Sequence, residues 1–237
     1  MNPWQTRHPV NPQPFIDVTA AQPEQERAFI RSAYGWMFGG LLLTALAALW
    51  VLMSPGMQQL VRSAYLPLIL VELGLVFFLS FRIQKMSAGT AAGTFFVYSV
   101  LNGLTMSAIF AIYAPQAIVM AFVTSAGMFG AMSIYGMVTK RDLTSWGSFF
   151  FMGLIGLIIC SVVNIWMKSD GLSFVISAVG VFVFLGLTAY DTQKLKAYAR
   201  VGGPMATNFA VIGALALYLD FINLFLMMLR LFGGRRS

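Results

Sequence analysis

Three acidic residues of this chain lie within long apolar stretches, where a charged side chain is costly. They are Glu72, Asp191 and Asp220. An ionisable side chain near the centre of a bilayer costs at least about 2.5–3.5 kcal/mol, so such a residue is a functional candidate by default. The remaining acids fall in the N-terminal segment or in predicted loops: Asp17, Glu24, Glu26, Asp142 and Asp170. Any chemistry inside the apolar region therefore centres on the first three.

Asp191 and Asp220 are spaced to meet across a helical hairpin. Asp191 closes one apolar stretch, in GLTAYDTQKLK, and Asp220 lies near the middle of the next, in ALYLDFINLF. The midpoint of the two positions lies one to two residues after the turn 202–204, which reads Gly-Gly-Pro. With a rise of 1.5 Å per residue, an antiparallel hairpin pivoting there puts both carboxylates roughly 20 Å from the turn. The spacing predicts that they face each other at one depth.

Two carboxylates in contact within a low-dielectric site tend to share one proton. Such a pair responds to pH, because adding a proton neutralises it, whereas removing the last one adds repulsion and attracts cations. Carboxylate oxygens also suit a hard cation such as Ca²⁺. Asp191 and Asp220 are therefore predicted to form a pH sensor that contacts Ca²⁺. The plainer alternative is that each aspartate only hydrogen bonds a neighbouring helix.

Three further residues are predicted to support this pair. Arg82 ends the second apolar stretch, where it either snorkels to the membrane surface or folds inward to pair with Asp191. Glu72, in the same stretch, is expected to line the outer part of an ion pathway. Asn223 follows Asp220 by three residues and so shares its helix face, where it is a candidate helper of that carboxylate.

The composition places these residues in a membrane. The 237 residues are 59% hydrophobic and 10% charged, whereas soluble domains carry about 25% charged residues. Seven continuous apolar stretches have the length of about 20 residues that a spanning helix needs: 34–53, 64–81, 94–113, 117–138, 146–167, 172–193 and 206–232. They do not alternate between apolar and polar residues, which favours helices. The sequence predicts an all-α polytopic membrane protein.

The two ends of the chain differ from this apolar region. Residues 1–26 are polar and hold five of the nine prolines, so we predict a disordered, Pro-rich cytoplasmic arm. Residues 27–233 form the predicted seven-helix membrane domain, and residues 234–237 a basic tail.

The distribution of Lys and Arg predicts a cytoplasmic N-terminus. With that orientation only Arg62 and Lys168 fall in the outer loops, while most other basic residues fall on the inside. Arg235 and Arg236 then lie outside after seven spans, which conflicts with the rule. Either the tail is translocated, or the last stretch re-enters the membrane and returns; its length favours seven spans.

Small residues recur at the spacing that lets membrane helices pack closely. The pattern predicts a tight bundle and involves three pairs: Gly35/Gly39, Gly89/Gly93 and Gly103/Ser107.

Several chemistries are excluded. The single histidine, His8, lies in the predicted arm, so no Ser-His or Cys-His triad can assemble among the helices. One histidine and one cysteine, Cys160, do not make a structural zinc site. No Walker A spacing is present. The net charge of +7 reflects basic residues that flank spans, so nucleic-acid binding is not expected. We expect no enzymatic activity and no cofactor.

Three sequence blocks resemble the transmembrane Bax inhibitor motif family, also called the Bax inhibitor-1 family. They are GMFGAMSIYGMVTKRDLTSWGSFFFMGLIG, GLTAYDTQKLK and LYLDFINLFLMMLRLFG, and the resemblance extends over about residues 27–233. It implies a seven-helix bundle with the last helix central, in a bacterial member located in the inner (plasma) membrane.

The resemblance also implies a function. Family members are pH-sensitive Ca²⁺ leak channels whose proton sensor is a pair of aspartates on the sixth and seventh helices, matching Asp191 and Asp220. A second-helix arginine latch corresponds to Arg82, and a second-helix acid to Glu72. The expected partners are the lipid bilayer, Ca²⁺ and protons. Some bacterial relatives interact with a membrane-bound AAA protease, so the alternative is a regulator that transports nothing.

An intramembrane aspartyl protease is a third possibility, because Tyr190-Asp191 and Asp220 are similar to the presenilin-type pair. The residues that precede Asp220 are Leu-Tyr-Leu rather than the Gly-x-Gly of that family, and no Pro-Ala-Leu element follows. This reading is therefore disfavoured.

Overall fold

The computed structural model describes residues 23–82, 85–201 and 206–233. These residues form eight helices: α1 (Pro23–Met53), α2 (Pro55–Ser63), α3 (Tyr65–Arg82), α4 (Ala88–Phe110), α5 (Pro115–Val138), α6 (Thr144–Met167), α7 (Asp170–Val201) and α8 (Ala206–Phe232). All except α2 are long and apolar enough to cross a membrane. The prediction of an all-α membrane protein is thus confirmed. The predicted tail 234–237, the turn 202–204 and residues 1–22 of the arm, with His8, lie outside the described residues.

Two helices, α1 and α4, begin six or more residues before the apolar pattern predicts. α1 starts at Pro23 and carries Glu24 and Glu26 in its first turn, a composition that suits a helix N-terminus. Residues 23–26, assigned to the arm from the sequence, are therefore its first turn. α4 starts at Ala88, where the Ser87 hydroxyl accepts a hydrogen bond from the Thr90 backbone N–H at 3.2 Å. Helix boundaries here follow capping rather than hydropathy.

The last helix, α8, is the most deeply buried of the seven. It packs mainly against α1, α4, α5 and α7. Its side chains of zero exposure include Val211, Ala214, Leu217, Tyr218 and Leu224. Because α8 is one continuous helix of 27 residues, it is long enough to span a bilayer. This continuity favours seven spans over a re-entrant last segment.

Contacts between the helices fix their relative directions. Tyr34 near the start of α1 contacts Thr192 near the end of α7, and Thr44 further along α1 contacts Tyr218 in α8. α1 and α8 therefore run in the same direction, and α7 runs against them. We call the end where α1 and α8 begin the near end of the bundle, and the opposite end the far end.

Only some of the glycines permit close helix contact. A Cβ at Gly103 would lie against the Thr44 backbone carbonyl, and one at Gly136 against that of Ala189. By contrast, a Cβ at Gly89 or Gly93 would meet nothing within 4 Å. The prediction of close packing is wrong for that pair, because small residues also occur on helix faces that point towards lipid.

The connection between α5 and α6 contains an acid with a local structural role. Asp142 Oδ1 accepts hydrogen bonds from the Thr144 backbone N–H at 2.9 Å and from the Thr144 hydroxyl at 2.6 Å. These two hydrogen bonds lower the pKa of Asp142. A carboxylate whose pKa is lowered on folding stabilises the fold above its unfolded pKa, and loses that effect as the pH falls through its folded pKa.

We accordingly expect Asp142→Ala to lower the Tm of the detergent-solubilised protein slightly at pH 7. This decrease should shrink as the pH falls through the lowered pKa of Asp142, because the protonated side chain no longer acts as a charged acceptor. Thermal unfolding across a pH series measures it, with Asp142→Asn as the variant that keeps an acceptor without a charge. A decrease that is the same at every pH would contradict the assignment.

Candidate functional site

Asp191 of α7 and Asp220 of α8 meet inside the bundle. Their carboxyl groups hydrogen bond each other. Asp220 is only 4% exposed, while Asp191 retains a small exposed fraction. A hydrogen bond between two carboxyl groups requires a proton on one of them, since an ionised carboxylate only accepts. In this arrangement the aspartate pair therefore holds at least one proton.

One oxygen of the aspartate pair has no donor outside the pair. Asp220 Oδ2 is buried and accepts no hydrogen bond from any residue other than Asp191 within the described part of the chain. Buried polar atoms are normally satisfied, and an exception needs a reason. Lys194, about one turn further along α7, is a positive charge that attracts Asp191. A proton or a cation is the kind of partner that Asp220 Oδ2 can accept.

Two other helices hold the aspartate pair in position. The Tyr34 hydroxyl of α1 lies 3.2 Å from the Thr192 hydroxyl, next to Asp191 in α7. On the other side, Gly136 lets α5 approach the α7 backbone at Ala189. The position of Asp191 thus depends on contacts of α7 with α1, α5 and α8.

A basic cavity of about 390 Å³ adjoins the aspartate pair at the near end. Gln193 connects this cavity to the α5–α6 loop, because its side chain accepts from the Leu143 N–H and donates to the Arg141 carbonyl, both at 2.8 Å. Asp191 and Asp220 do not line this cavity. Its lining includes the acid Asp142 and five basic residues: Lys140, Arg141, Lys194, Lys196 and Arg200. Such a positive surface matches the side predicted as cytoplasmic.

The structure does not bring Arg82 or Asn223 to the aspartate pair. Arg82 is exposed in the last turn of α3, which packs mainly against α4. It makes no ion pair with Asp191 within the described ranges. The Asn223 side chain donates to the Leu219 carbonyl of its own helix at 2.8 Å, and it forms no hydrogen bond with Asp220. The three-residue spacing was expected to bring Asn223 next to Asp220 on α8, but the two side chains form no hydrogen bond.

Glu72 belongs to a second polar cluster. The Asn102 amide of α4 donates to Glu72 Oε2 at 3.2 Å, and the Tyr218 hydroxyl of α8 donates to Asn102 Oδ1 at 3.1 Å. The same Tyr218 hydroxyl lies 2.6 Å from the Thr44 hydroxyl of α1, which donates to the Ser99 carbonyl at 2.8 Å. We call these five residues the Glu72 cluster. It connects α3, α4, α8 and α1.

The sequence marked Glu72 as unusual in a span but gave no such signal for Tyr218 or Thr44. Tyrosine and threonine are common in apolar helices, and only the fold shows that their hydroxyls meet. Tyr218 precedes Asp220 by two residues, which places the two side chains about 200° apart around α8. The Glu72 cluster and the aspartate pair therefore lie on opposite sides of the central helix at similar depth.

We expect Tyr218→Phe to destabilise the protein by about 1 kcal/mol, the net value of a buried hydrogen bond, because Asn102 Oδ1 loses its donor. Chemical unfolding in detergent measures the change. Tyr135→Phe is the matched control, since the Tyr135 side chain is exposed and its hydroxyl makes no hydrogen bond in the part of the chain that the structure describes. Equal effects of the two substitutions would contradict a structural role for the cluster.

Comparison with known proteins places this architecture in a family. The family model described as "Inhibitor of apoptosis-promoting Bax1" matches residues 26–237. The chain belongs to this Bax inhibitor-1 family. The match covers every described helix except the first three residues of α1, and so includes the aspartate pair, the basic cavity and the Glu72 cluster.

Bacterial relatives of this Bax inhibitor-1 family protein are similar along nearly their whole length. "Inner membrane protein YbhL" of Escherichia coli K12 is 48% identical over 217 residues, which cover 89% of this chain and 93% of that protein. An uncharacterized protein of Deinococcus radiodurans is 45% identical over 214 residues, covering 90% and 93% respectively. An uncharacterized protein of Borreliella burgdorferi is 40% identical over 231 residues, covering 94% of this chain and all of that protein.

Proposed function

We propose that this Bax inhibitor-1 family protein is a cation leak channel of the bacterial inner membrane, conducting Ca²⁺, and that protonation of the aspartate pair gates it. The observation that carries the proposal is the contact between Asp191 and Asp220 inside the bundle. Two buried acids that share a proton form a site whose charge changes with pH, and an ionisable group in a span is a functional candidate.

The arrangement of the pair fits a closed state. Asp220 is 4% exposed, and neither aspartate lines the basic cavity next to it. Ions can therefore reach Asp220 only after helices separate, although Asp191 keeps some exposure. α3 is the helix best suited to move, since it packs mainly against α4 and α2. It also carries Glu72, whose Oε1 is buried without a hydrogen-bond partner in the described residues.

The chemistry of the pair suits a passing ion. Carboxylate oxygens are preferred ligands of Ca²⁺, which takes six to eight oxygens in a full site. Among the described residues no group of three or more Asp, Glu, His or Cys side chains could hold a metal. In the proposal Asp191 and Asp220 give a cation a transient contact, with water supplying the other ligands.

Ion flux across a pure lipid bilayer tests the proposal. The purified full chain is reconstituted into liposomes that contain a Ca²⁺-sensitive dye, and Ca²⁺ entry is followed at several pH values. We expect entry faster than in protein-free liposomes, with a rate that depends on pH. Parallel assays with K⁺ and Mg²⁺ define selectivity. Flux equal to that of protein-free liposomes at every pH would contradict the proposal.

The basic cavity favours a second candidate function, regulation of a membrane complex such as a membrane-bound AAA protease. A cavity with five basic side chains is suited to bind an acidic segment of a partner protein. The test is co-purification of the protease from detergent extracts, with Arg141→Glu and Arg200→Glu compared against Arg230→Glu at the opposite end of α8. Loss of co-purification in the first two variants only, with no flux in liposomes, would favour regulation over conduction.

A further inference from the structure

A cleft runs along the membrane-facing side of the bundle between α1 and α5. Both helices pack extensively on α8 but not on each other. Two cavities of about 820 and 530 Å³ occupy the space between them. The two cavities are adjacent, because both are lined by the same four residues: Leu41, Ala45, Phe122 and Phe221. We call them together the α1–α5 cleft.

The cleft is apolar along almost its entire length. Of the 17 residues that line the larger cavity, only Thr44, Gln58 and Arg62 are polar. Thr44 is already engaged in the Glu72 cluster, so its hydroxyl is not available to a ligand. The two remaining polar residues belong to α2, at the far end. A molecule that fills the cavity must therefore be apolar along its length and polar at one end.

The length of the larger cavity matches one leaflet of a bilayer. It follows α1 from Leu41 to Leu52, which at 1.5 Å per residue is about 16 Å. The hydrocarbon core of a bilayer is about 30 Å thick, so one leaflet contributes about 15 Å. An acyl chain that enters from the far end would reach the level of Phe221 and stop near the middle of the membrane.

The polar end of the cleft carries the guanidinium of Arg62. α2 begins directly after the end of α1, buries Val61 and exposes Arg62. The Gln58 side chain donates to the Leu52 carbonyl at 2.9 Å, which holds α2 against α1. Within the described ranges Arg62 has no ion-pair partner. A guanidinium held at headgroup level recognises a phosphate through paired hydrogen bonds.

We propose that the α1–α5 cleft binds a phospholipid with an anionic headgroup, whose phosphate contacts Arg62 and whose acyl chain lies on α8 between α1 and α5. Arg62 supplies charge complementarity, the apolar lining accepts the chain, and the cavity has the length of one leaflet. Because none of the described residues that line the larger cavity is acidic, none of them pairs with the ammonium of a zwitterionic headgroup. The proposal does not depend on channel activity.

Lipid binding to the purified full chain tests this site. Native mass spectrometry in detergent is used to compare the retention of phosphatidylglycerol and phosphatidylcholine with identical acyl chains. We expect the wild type to retain one phosphatidylglycerol more tightly. Arg62→Gln should weaken this binding about fivefold, the effect expected for one basic residue at a membrane surface, and should remove the preference between the two lipids.

Two further variants separate the cleft from general membrane affinity. Lys168→Gln removes an exposed cation at the same end of the bundle but outside the cleft, and should leave the lipid preference unchanged. Ala45→Phe fills the part of the cleft common to both cavities and should release both lipids, with little effect on folding because Ala45 is exposed. Equal binding of the two lipids by the wild type, or equal weakening by Arg62→Gln and Lys168→Gln, would overturn the proposal. So would retention of a phosphate-free apolar molecule in the cleft.

Discussion

Asparagine in place of either Asp191 or Asp220 is expected to produce a protein whose cation flux no longer varies with pH. In the wild type the two carboxyl groups hydrogen bond each other, so the pair carries a removable proton. An asparagine amide donates to the remaining carboxylate and imitates the singly protonated pair, but it cannot release a proton. The charge of the site then stays constant across the pH range in which the wild type responds.

The measurement is Ca²⁺ flux into liposomes at a series of pH values for the wild type, Asp191→Asn and Asp220→Asn. Asp170→Asn is the matched control, since Asp170 is an exposed acid in the first turn of the same helix. A pH profile that is unchanged in both variants of the pair would rule out the sensor. Loss of pH dependence in the Asp170 variant would show that net charge, rather than the pair, sets the profile.

Gly136→Ala is expected to lower the free energy of unfolding by about 1–3 kcal/mol, the usual cost of overfilling a packed interface. The added methyl group would lie against the Ala189 carbonyl oxygen and the Thr192 Cβ. A backbone oxygen cannot rotate away as a flexible side chain can, so α5 and α7 must separate. Since Ala189 and Thr192 flank Asp191, the change is also expected to disturb the aspartate pair.

Gly130→Ala, on the same helix, is the control for this substitution. A Cβ at Gly130 meets nothing within 4 Å, and alanine favours helix over glycine by up to about 1 kcal/mol. Chemical unfolding in detergent should therefore show Gly130→Ala to be neutral or stabilising. If Gly136→Ala is as stable as Gly130→Ala, the close approach of α5 to α7 does not contribute to stability.

The contact between the two aspartates could be predicted from the number of residues that separate each of them from the turn. Two consecutive spanning helices with a short connection must be antiparallel neighbours, and the rise per residue then fixes the depth of every side chain. Asp191 lies ten residues before the end of α7 and Asp220 fourteen residues after the start of α8, so depth alone brings them to within about one helical turn of each other. Hydropathy determines well how deep a residue lies in the membrane, since the limits of each span are visible as the ends of an apolar stretch.

Hydropathy does not determine how a helix is rotated about its own axis, and therefore which side chains face its neighbours. A helix that is apolar all round has no preferred face, so the directions of Arg82 and Asn223 could not be derived from the sequence. Arg82 remains on the surface, and Asn223 bonds to its own helix. For the same reason, the contact of Tyr218 with Thr44 and Asn102 could not be predicted from the sequence. The undetermined rotation also made Gly89 and Gly93 resemble interface glycines although they lie in open space.

The placement of Tyr218 and Asp220 on opposite sides of α8 restricts how the bundle can rearrange. Twisting α8 on its axis would break the hydrogen bonds of both clusters simultaneously, whereas an outward tilt of α3 would break the Glu72–Asn102 bond and expose Leu79 but leave the aspartate pair in contact. Because α8 packs against four helices and α3 mainly against one, we expect α8 to keep its position in the proposed opening and α3 to be the helix that moves.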